Sequence, residues 1–197
     1  AHHSQIVFFA TGGIGGVHND YEGESSLDIS ADLTELSRTP VAVLCSGPKA
    51  ILDIPRTMEY LETMGVPVLG YKTDELPAFY SQSSHLRVDY LVKDADEAAQ
   101  MVWTHLHLKL GTGLLIANPV PTEYALSKKK VDHWIEQAKE SAWKENIRGK
   151  QLTPYLLNKI KELSEGRSLK ANIELLKYNA TVNDQIAQAY QTLEHRT

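Results

Sequence analysis

The chain has 197 residues, 42% hydrophobic and 23% charged, a balance that fits a globular α/β protein with a substantial core. Its net charge of -5 argues against a general nucleic-acid surface, since duplex binders carry basic patches that neutralise phosphates, whereas a small phosphorylated ligand needs only a local positive site. One cysteine, Cys45, excludes an intrachain disulfide and suits a reducing, cytoplasmic setting, and no apolar run reaches the ~20 residues of a membrane helix.

In chain order, β-rich apolar runs alternate with helical patterns. Residues 6–10, 41–45, 66–71, 86–92 and 113–117 read as strands. Between them, 30–37, 51–64 and 94–108 read as helices, with Leu52, Met58, Leu61 and Met64 near helical spacing and Gly65 and Pro67 as stop signals. This alternation predicts a mixed, largely parallel sheet flanked by helices, an α/β/α sandwich. After Pro121 the chain turns helical: 128–146 and 153–165 are amphipathic, the second opening on Thr153-Pro154 as cap and first residue. Residues 168 to about 194 form a longer helix with Leu169, Ile173, Leu176, Ala180 and Ile186 along one side. With no repeat and no low-complexity linker, this helical tail is expected to fold back onto the sheet, making residues 1–197 one domain. Trp103, Trp134 and Trp143 sit in amphipathic helices and read as core or interface residues.

Two strand-to-loop junctions stand out. At the first, the run ending at Ala10 empties into Thr11, Gly12, Gly13, Ile14, Gly15, Gly16, Val17 and His18. Glycines admit positive φ and let main-chain N–H groups approach an anion or a sugar. A dinucleotide fingerprint does not fit, because the third glycine is absent and polar loop follows, and no lysine and threonine follow as in a Walker loop. His18 either contacts a ligand or closes the turn. At the second junction, Cys45-Ser46-Gly47-Pro48 delivers Lys49 just before a helix expected to begin at Ile51. A partly buried ammonium at the positive end of a helix dipole has a lowered pKa, and a neutral amine there attacks a sugar aldehyde to form an imine. The alternative is an exposed loop lysine.

Asp28 and Asp32, four apart, present a similar choice. Either Asp28 or Ser30 caps a helix with Asp32 in its first turn, or Asp32 is a hard oxygen ligand whose remaining shell is water, which suits magnesium or manganese and not zinc. Asn118-Pro119-Val120-Pro121 fixes an extended exit at a strand's carboxyl end, where ligands of α/β sheets gather. Asn172, a poor helix former inside the last helix, is either an exposed polar residue or a cleft residue.

Taken together, the segments at residues 10–18, 28–33, 51–53, 59–63, 65–68, 117–121, 149–150 and 168–172 resemble the pseudouridine-5′-phosphate glycosidase, indigoidine-synthase-A-like family, from about Ile6 to the end. The resemblance implies cleavage of the carbon–carbon bond between uracil C5 and ribose C1′ of pseudouridine 5′-phosphate, giving uracil and ribose 5-phosphate. It puts the imine-forming lysine at Lys49 and the manganese ligand at Asp32, with Mg²⁺ as an alternative ion. It gives Thr11, Gly13, His18, Ser30 and Asn172 as substrate contacts, and a homotrimer with no nucleic-acid or membrane partner. Family members carry roughly a hundred residues more before the glycine strand, a domain-sized piece. By the resemblance that piece holds a catalytic glutamate and a phosphate-contacting lysine without counterparts here. The chain also departs from the family at His18-Asn19-Asp20, where the family has His-Arg-Gly, and at Leu27, where it has Phe. Losing the arginine weakens the case for a normally charged phosphate pocket. Two expectations follow: an enzyme completed by a segment outside these residues, or a family member that binds a sugar phosphate or partner subunits without turnover.

Overall fold

The computed structural model describes residues 1–19 and 28–195. Five strands, β1 (Phe8–Ala10), β2 (Ala42–Cys45), β3 (Val68–Tyr71), β4 (Tyr90–Val92) and β5 (Leu114–Ala117), form one sheet in the order β1-β2-β5-β3-β4. Every pairing is parallel, so the sheet is parallel throughout and not mixed. The register aligns Phe8 with Ala42, Ala42 with Leu114 and Leu115 with Val68.

Strand alternation sorts the sheet residues into two faces. Val43, Cys45, Val68, Leu115 and Ala117 pack with Leu33 and Leu36 of α1 (Ala31–Leu36) and Ile54 and Leu61 of α2 (Ile54–Thr63). Their neighbours Ala42, Leu44, Leu69, Leu114 and Ile116 pack on the other side with α3 (Ala95–His107) and α6 (Arg167–Glu194). A third cluster joins α4 (Lys128–Lys144), α5 (Leu152–Leu163), the start of α6 and the Phe79–Tyr80 segment. The helical tail therefore does fold back on the sheet.

Several boundaries differ from the sequence expectation. Helix α2 starts at Ile54, because Asp53 caps it by accepting from Arg56 N–H at 3.0 Å, so the segment after Lys49 is a turn. Helix α5 begins at Leu152 with Gln151 before it and no side-chain cap, which places Thr153 and Pro154 inside its first turn. The largest correction concerns α6. Leu169, Ile173 and Leu176 are 43%, 45% and 46% exposed and Ala180 is exposed, while Ser168, Ala171, Leu175, Asn179, Val182, Ile186 and Tyr190 are buried. Only Ile186 of the expected stripe faces the core. Trp134 is buried, whereas Trp143 is 48% exposed.

Candidate functional site

The site begins where β1 and β2 end. Beyond the strands, the two chains stay zipped: Thr11 N–H donates to Leu44 O at 3.0 Å, Ser46 N–H to Gly12 O at 2.9 Å, Ile14 N–H to Gly47 O at 3.2 Å and Lys49 N–H to Ile14 O at 3.0 Å. Thus the glycine loop and the Lys49 loop form one unit. Gly47 turns the second chain at a φ of 81°, and its missing Cβ makes room for the Pro77 carbonyl.

The glycine loop then pairs with the entry to α1. His18 N–H donates to Asp28 O at 3.0 Å and Ser30 N–H to Gly16 O at 3.0 Å. Ser30 is the cap, its Oγ accepting from Asp32 N–H at 3.3 Å, which settles the capping choice in favour of Ser30 over Asp28. Asp32 lies in the first turn, and its Oδ2 accepts from Gly15 N–H at 2.8 Å. A Cβ on Gly15 would collide with the Ser30 side chain and stand 3.0 Å from Asp32 Oδ2. On the next turn of the loop, Val17 N–H donates to Thr57 Oγ1 at 3.0 Å and Asp53 N–H donates to Val17 O at 2.9 Å, tying in α2.

Lys49 is half-buried and borders a hollow of about 440 Å³ together with Gly12, Gly13, Phe79, Tyr80 and Asn172. Asn158 and Lys161 of α5 reach the same hollow. Phe79, held by its N–H to Ser46 O at 2.9 Å, lays its ring against the two glycines. Burial pushes the Tyr80 phenol up to about 12, against a hydrogen bond from Ser168 that lowers it, so the phenol stays protonated. Asn172 is half-buried, with Oδ1 3.1 Å from where a Gly12 Cβ would stand. Of the two readings of Asn172, the structure supports the cleft residue.

Asp32 and Thr11 border a second, neighbouring hollow of about 590 Å³, floored by Phe9, Ile14, Val41 and Val43. Among the described residues Asp32 lines this hollow and Lys49 the other, with Thr11 and Ile14 on the Asp32 side and Gly12 and Gly13 on the Lys49 side. The two charges nevertheless meet electrostatically at Cys45. Burial pushes that thiol up to about 12, and Asp32 raises it further while Lys49 opposes the rise. His18 is half-buried beside Asp28 and, like half-buried Ser30, borders neither hollow. Asn19, where the resemblance implies an arginine, gives its amide to Ile51 O at 3.0 Å, and Asp20 and Leu27 lie outside the described residues.

A divalent ion at Asp32 would find one carboxylate already shared with Gly15 N–H. Among the described residues no three His, Cys, Asp or Glu side chains gather into a metal-holding set. The donors fit an oxygen-seeking ion that takes most of its shell from water and ligand oxygens, and they do not fit structural zinc.

The sequence reading missed Asn179 and named Ser46 and Asn118 only as members of their loops; the three form a buried polar cluster beside the glycine loop. Asn179 Nδ2 donates to Thr11 O at 2.8 Å, Gly12 O at 3.4 Å and Ser46 Oγ at 3.1 Å, and Asn118 Nδ2 donates to Asn179 Oδ1 at 2.9 Å. The available signal was spacing: Asn179 follows Asn172 by seven residues, two helical turns on one face.

Comparison with known proteins shows the family. The chain is 58% identical over 182 residues to the pseudouridine-5′-phosphate glycosidase of Caldanaerobacter subterraneus subsp. tengcongensis, covering 92% of this chain and 59% of that protein. It is 51% identical to the enzyme of the same name from Legionella pneumophila, over 97% of this chain and 61% of the relative. The chain thus spans about three fifths of the length of these curated relatives. Among solved structures, the prealnumycin C-glycosynthase AlnA in complex with ribulose 5-phosphate superposes with a TM-score of 0.88 at 35% identity, covering 96% of this chain and 62% of AlnA. An indigoidine synthase A (IdgA)-like protein from Thermotoga maritima gives 0.81 at 36% identity, covering 93% of this chain and 58% of that one. The family model described as indigoidine synthase A like protein matches residues 1–189, and on that match the chain belongs to the indigoidine synthase A-like family.

Proposed function

We propose that this chain carries the imine-forming half of a C-glycosidase that cleaves pseudouridine 5′-phosphate to uracil and ribose 5-phosphate. The observation that carries the reading is Lys49 in a hollow walled by bare glycine backbone and Asn172, at the carboxyl ends of parallel strands. Relatives named for this activity support it, as does AlnA, a C-glycosynthase with a ribulose 5-phosphate complex.

A carbon–carbon glycosidic bond offers no oxygen leaving group to protonate, so the paired-carboxylate route of ordinary glycosidases does not serve. In the proposed sequence the Lys49 amine adds to C1′, the C1′–O4′ bond breaks, and the ring oxygen takes a proton. A general acid then protonates uracil C5, and the C1′–C5 bond breaks with its electron pair remaining on uracil. The Lys49 nitrogen lone pair closes a C1′=N imine, which water hydrolyses to ribose 5-phosphate and the free amine. Thr11, Gly13, His18, Ser30 and Asn172 are proposed as ligand contacts. Asp32 is proposed to hold a divalent ion, Mn²⁺ or Mg²⁺, which when bound supplies positive charge near the sugar phosphate. The whole protein's assembly as a homotrimer and a cytoplasmic setting belong to the same proposal; no helix among the described residues is long and apolar enough to cross a membrane.

One observation favours a second reading. Among the described residues no carboxylate lines the Lys49 hollow. A family member that binds the sugar phosphate without turnover fits that lining equally.

Borohydride reduction with ribose 5-phosphate tests the core of the proposal. The expected product is one adduct, mapped by peptide mass to Lys49 and absent from Lys49→Arg. An adduct on another lysine, or none, overturns the assignment. Uracil release from pseudouridine 5′-phosphate in the presence of Mn²⁺ then separates cleavage from binding alone.

A further inference from the structure

Asn179 lies outside the Lys49 hollow yet bonds the glycine loop that lines it. Asn179 is fully buried, and its amide spans three elements at once: the glycine loop through Thr11 O and Gly12 O, β2's end through Ser46 Oγ, and β5's end through Asn118 Nδ2. A helix-interior asparagine is a poor helix former, and burying its amide without partners costs more than a packed aliphatic side chain, so core filling alone does not account for it. Two further facts give the amide a direction. The Thr11 carbonyl points inward to Asn179, and the Gly12 carbonyl accepts from Ser46 N–H at 2.9 Å and from Asn179 at 3.4 Å, whereas the N–H groups of Gly12 and Gly13 have no partner among the described residues and both glycines line the Lys49 hollow. Asn172 sits on the same α6 face two turns earlier, roughly 10 Å along the axis, and also reaches Gly12.

We infer that Asn179 is a positioning residue: by holding the Thr11 and Gly12 carbonyls it fixes the outward set of the Gly12–Gly13 amides and the axial register of Asn172 against them, and so presets the hollow for a sugar phosphate. The nature of the ligand rests on the function proposed above; the clamp on the glycine loop does not. Asn179→Asp is the informative change, because it keeps the size and the acceptor for Asn118 while removing the side-chain donor to Thr11 O and the longer bond to Gly12 O, which then keeps only Ser46 N–H. Val182→Ala, one turn later on the same helix and equally buried, is the control for destabilisation without loop contact.

Two measurements decide the inference, each made well below the melting temperature of every variant. In NMR spectra of the backbone amides, Asn179→Asp is expected to shift the resonances of Gly12 and Gly13, with Val182→Ala leaving both as in the wild type. In titration with ribose 5-phosphate, Asn179→Asp is expected to weaken binding at least tenfold and Val182→Ala less than twofold. Unchanged Gly12 and Gly13 amides in Asn179→Asp, or equal effects in the two variants, overturn the inference and leave Asn179 a packing residue. Should the wild type fail to bind ribose 5-phosphate, the proposed ligand falls and the amide resonances still decide the clamp.

Discussion

Gly15→Ala is the sharpest probe of how the glycine loop is held. The added Cβ would overlap the Ser30 side chain and crowd Asp32 Oδ2 at 3.0 Å, so either the loop or the start of α1 must move. Movement breaks the 2.8 Å bond from Gly15 N–H to the Asp32 carboxylate and strains the 3.0 Å bond from Ser30 N–H to Gly16 O. A hydrogen bond to a charged group contributes about 1.5–3 kcal/mol and a neutral one about 1, so the expected loss is roughly 3 kcal/mol, or about 6–12 °C in melting temperature for a chain of this size. Urea unfolding followed by circular dichroism measures it, with the midpoint falling and the m-value unchanged. The cause is isolated by pairing the change with Ser30→Gly, which removes the colliding atoms and, as a cap, costs only a few tenths of a kcal/mol. In that background Gly15→Ala should cost about 2 kcal/mol less, a coupling within the range for residues in contact. A cost below about 1 kcal/mol in the wild type, or the same cost in both backgrounds, would refute the packing argument.

Three other outcomes are expected. Asp32→Asn should weaken Mn²⁺ binding by at least tenfold in calorimetric titration; a larger loss from Asp28→Asn would move the ion to that carboxylate. On the exposed and buried faces of α6, Ile173→Lys should change stability by less than about 0.5 kcal/mol and Leu175→Ala should cost about 2–5 kcal/mol, and similar costs would mean the helix is rotated from its described setting. Alkaline stability follows from the buried phenol and thiol: burial raises Tyr80 from 10.0 and Cys45 from 9.0, each to about 12. The folded state therefore keeps protons that the unfolded chain releases, so this stability is intact below about pH 9 and falls as pH rises toward 12. The Tyr80 share is roughly 2–3 kcal/mol, and Tyr80→Phe should flatten the loss between pH 10 and 12 in urea unfolding; an unchanged slope would contradict it.

Much of the architecture was legible because its signals are local. All five strands lie within the runs read from the sequence, since each is a short apolar segment bounded by turn residues. Lys49, Asn172 and the two glycines beside them were also visible as residue types in unusual settings, and the fold brings those four to one hollow. Asp32 and Thr11 were equally visible, yet they border the neighbouring hollow with Ile14, while Gly12 and Gly13 line the hollow of Lys49. No periodicity in a single segment reports which side of a loop a distant carboxylate will take.

Composition, alternation and caps thus determined by themselves that this is an α/β chain with its ligand-seeking loops at strand ends, since those features act over a few neighbouring residues. Tertiary structure alone decided which face of α6 is buried: the face carrying Leu175, Asn179, Val182 and Ile186 packs inward and leaves Leu169, Ile173 and Leu176 exposed. The reason is that Asn179 satisfies carbonyls 168 and 167 residues earlier in the chain, and the free energy of burying an amide depends on partners that only the folded chain supplies.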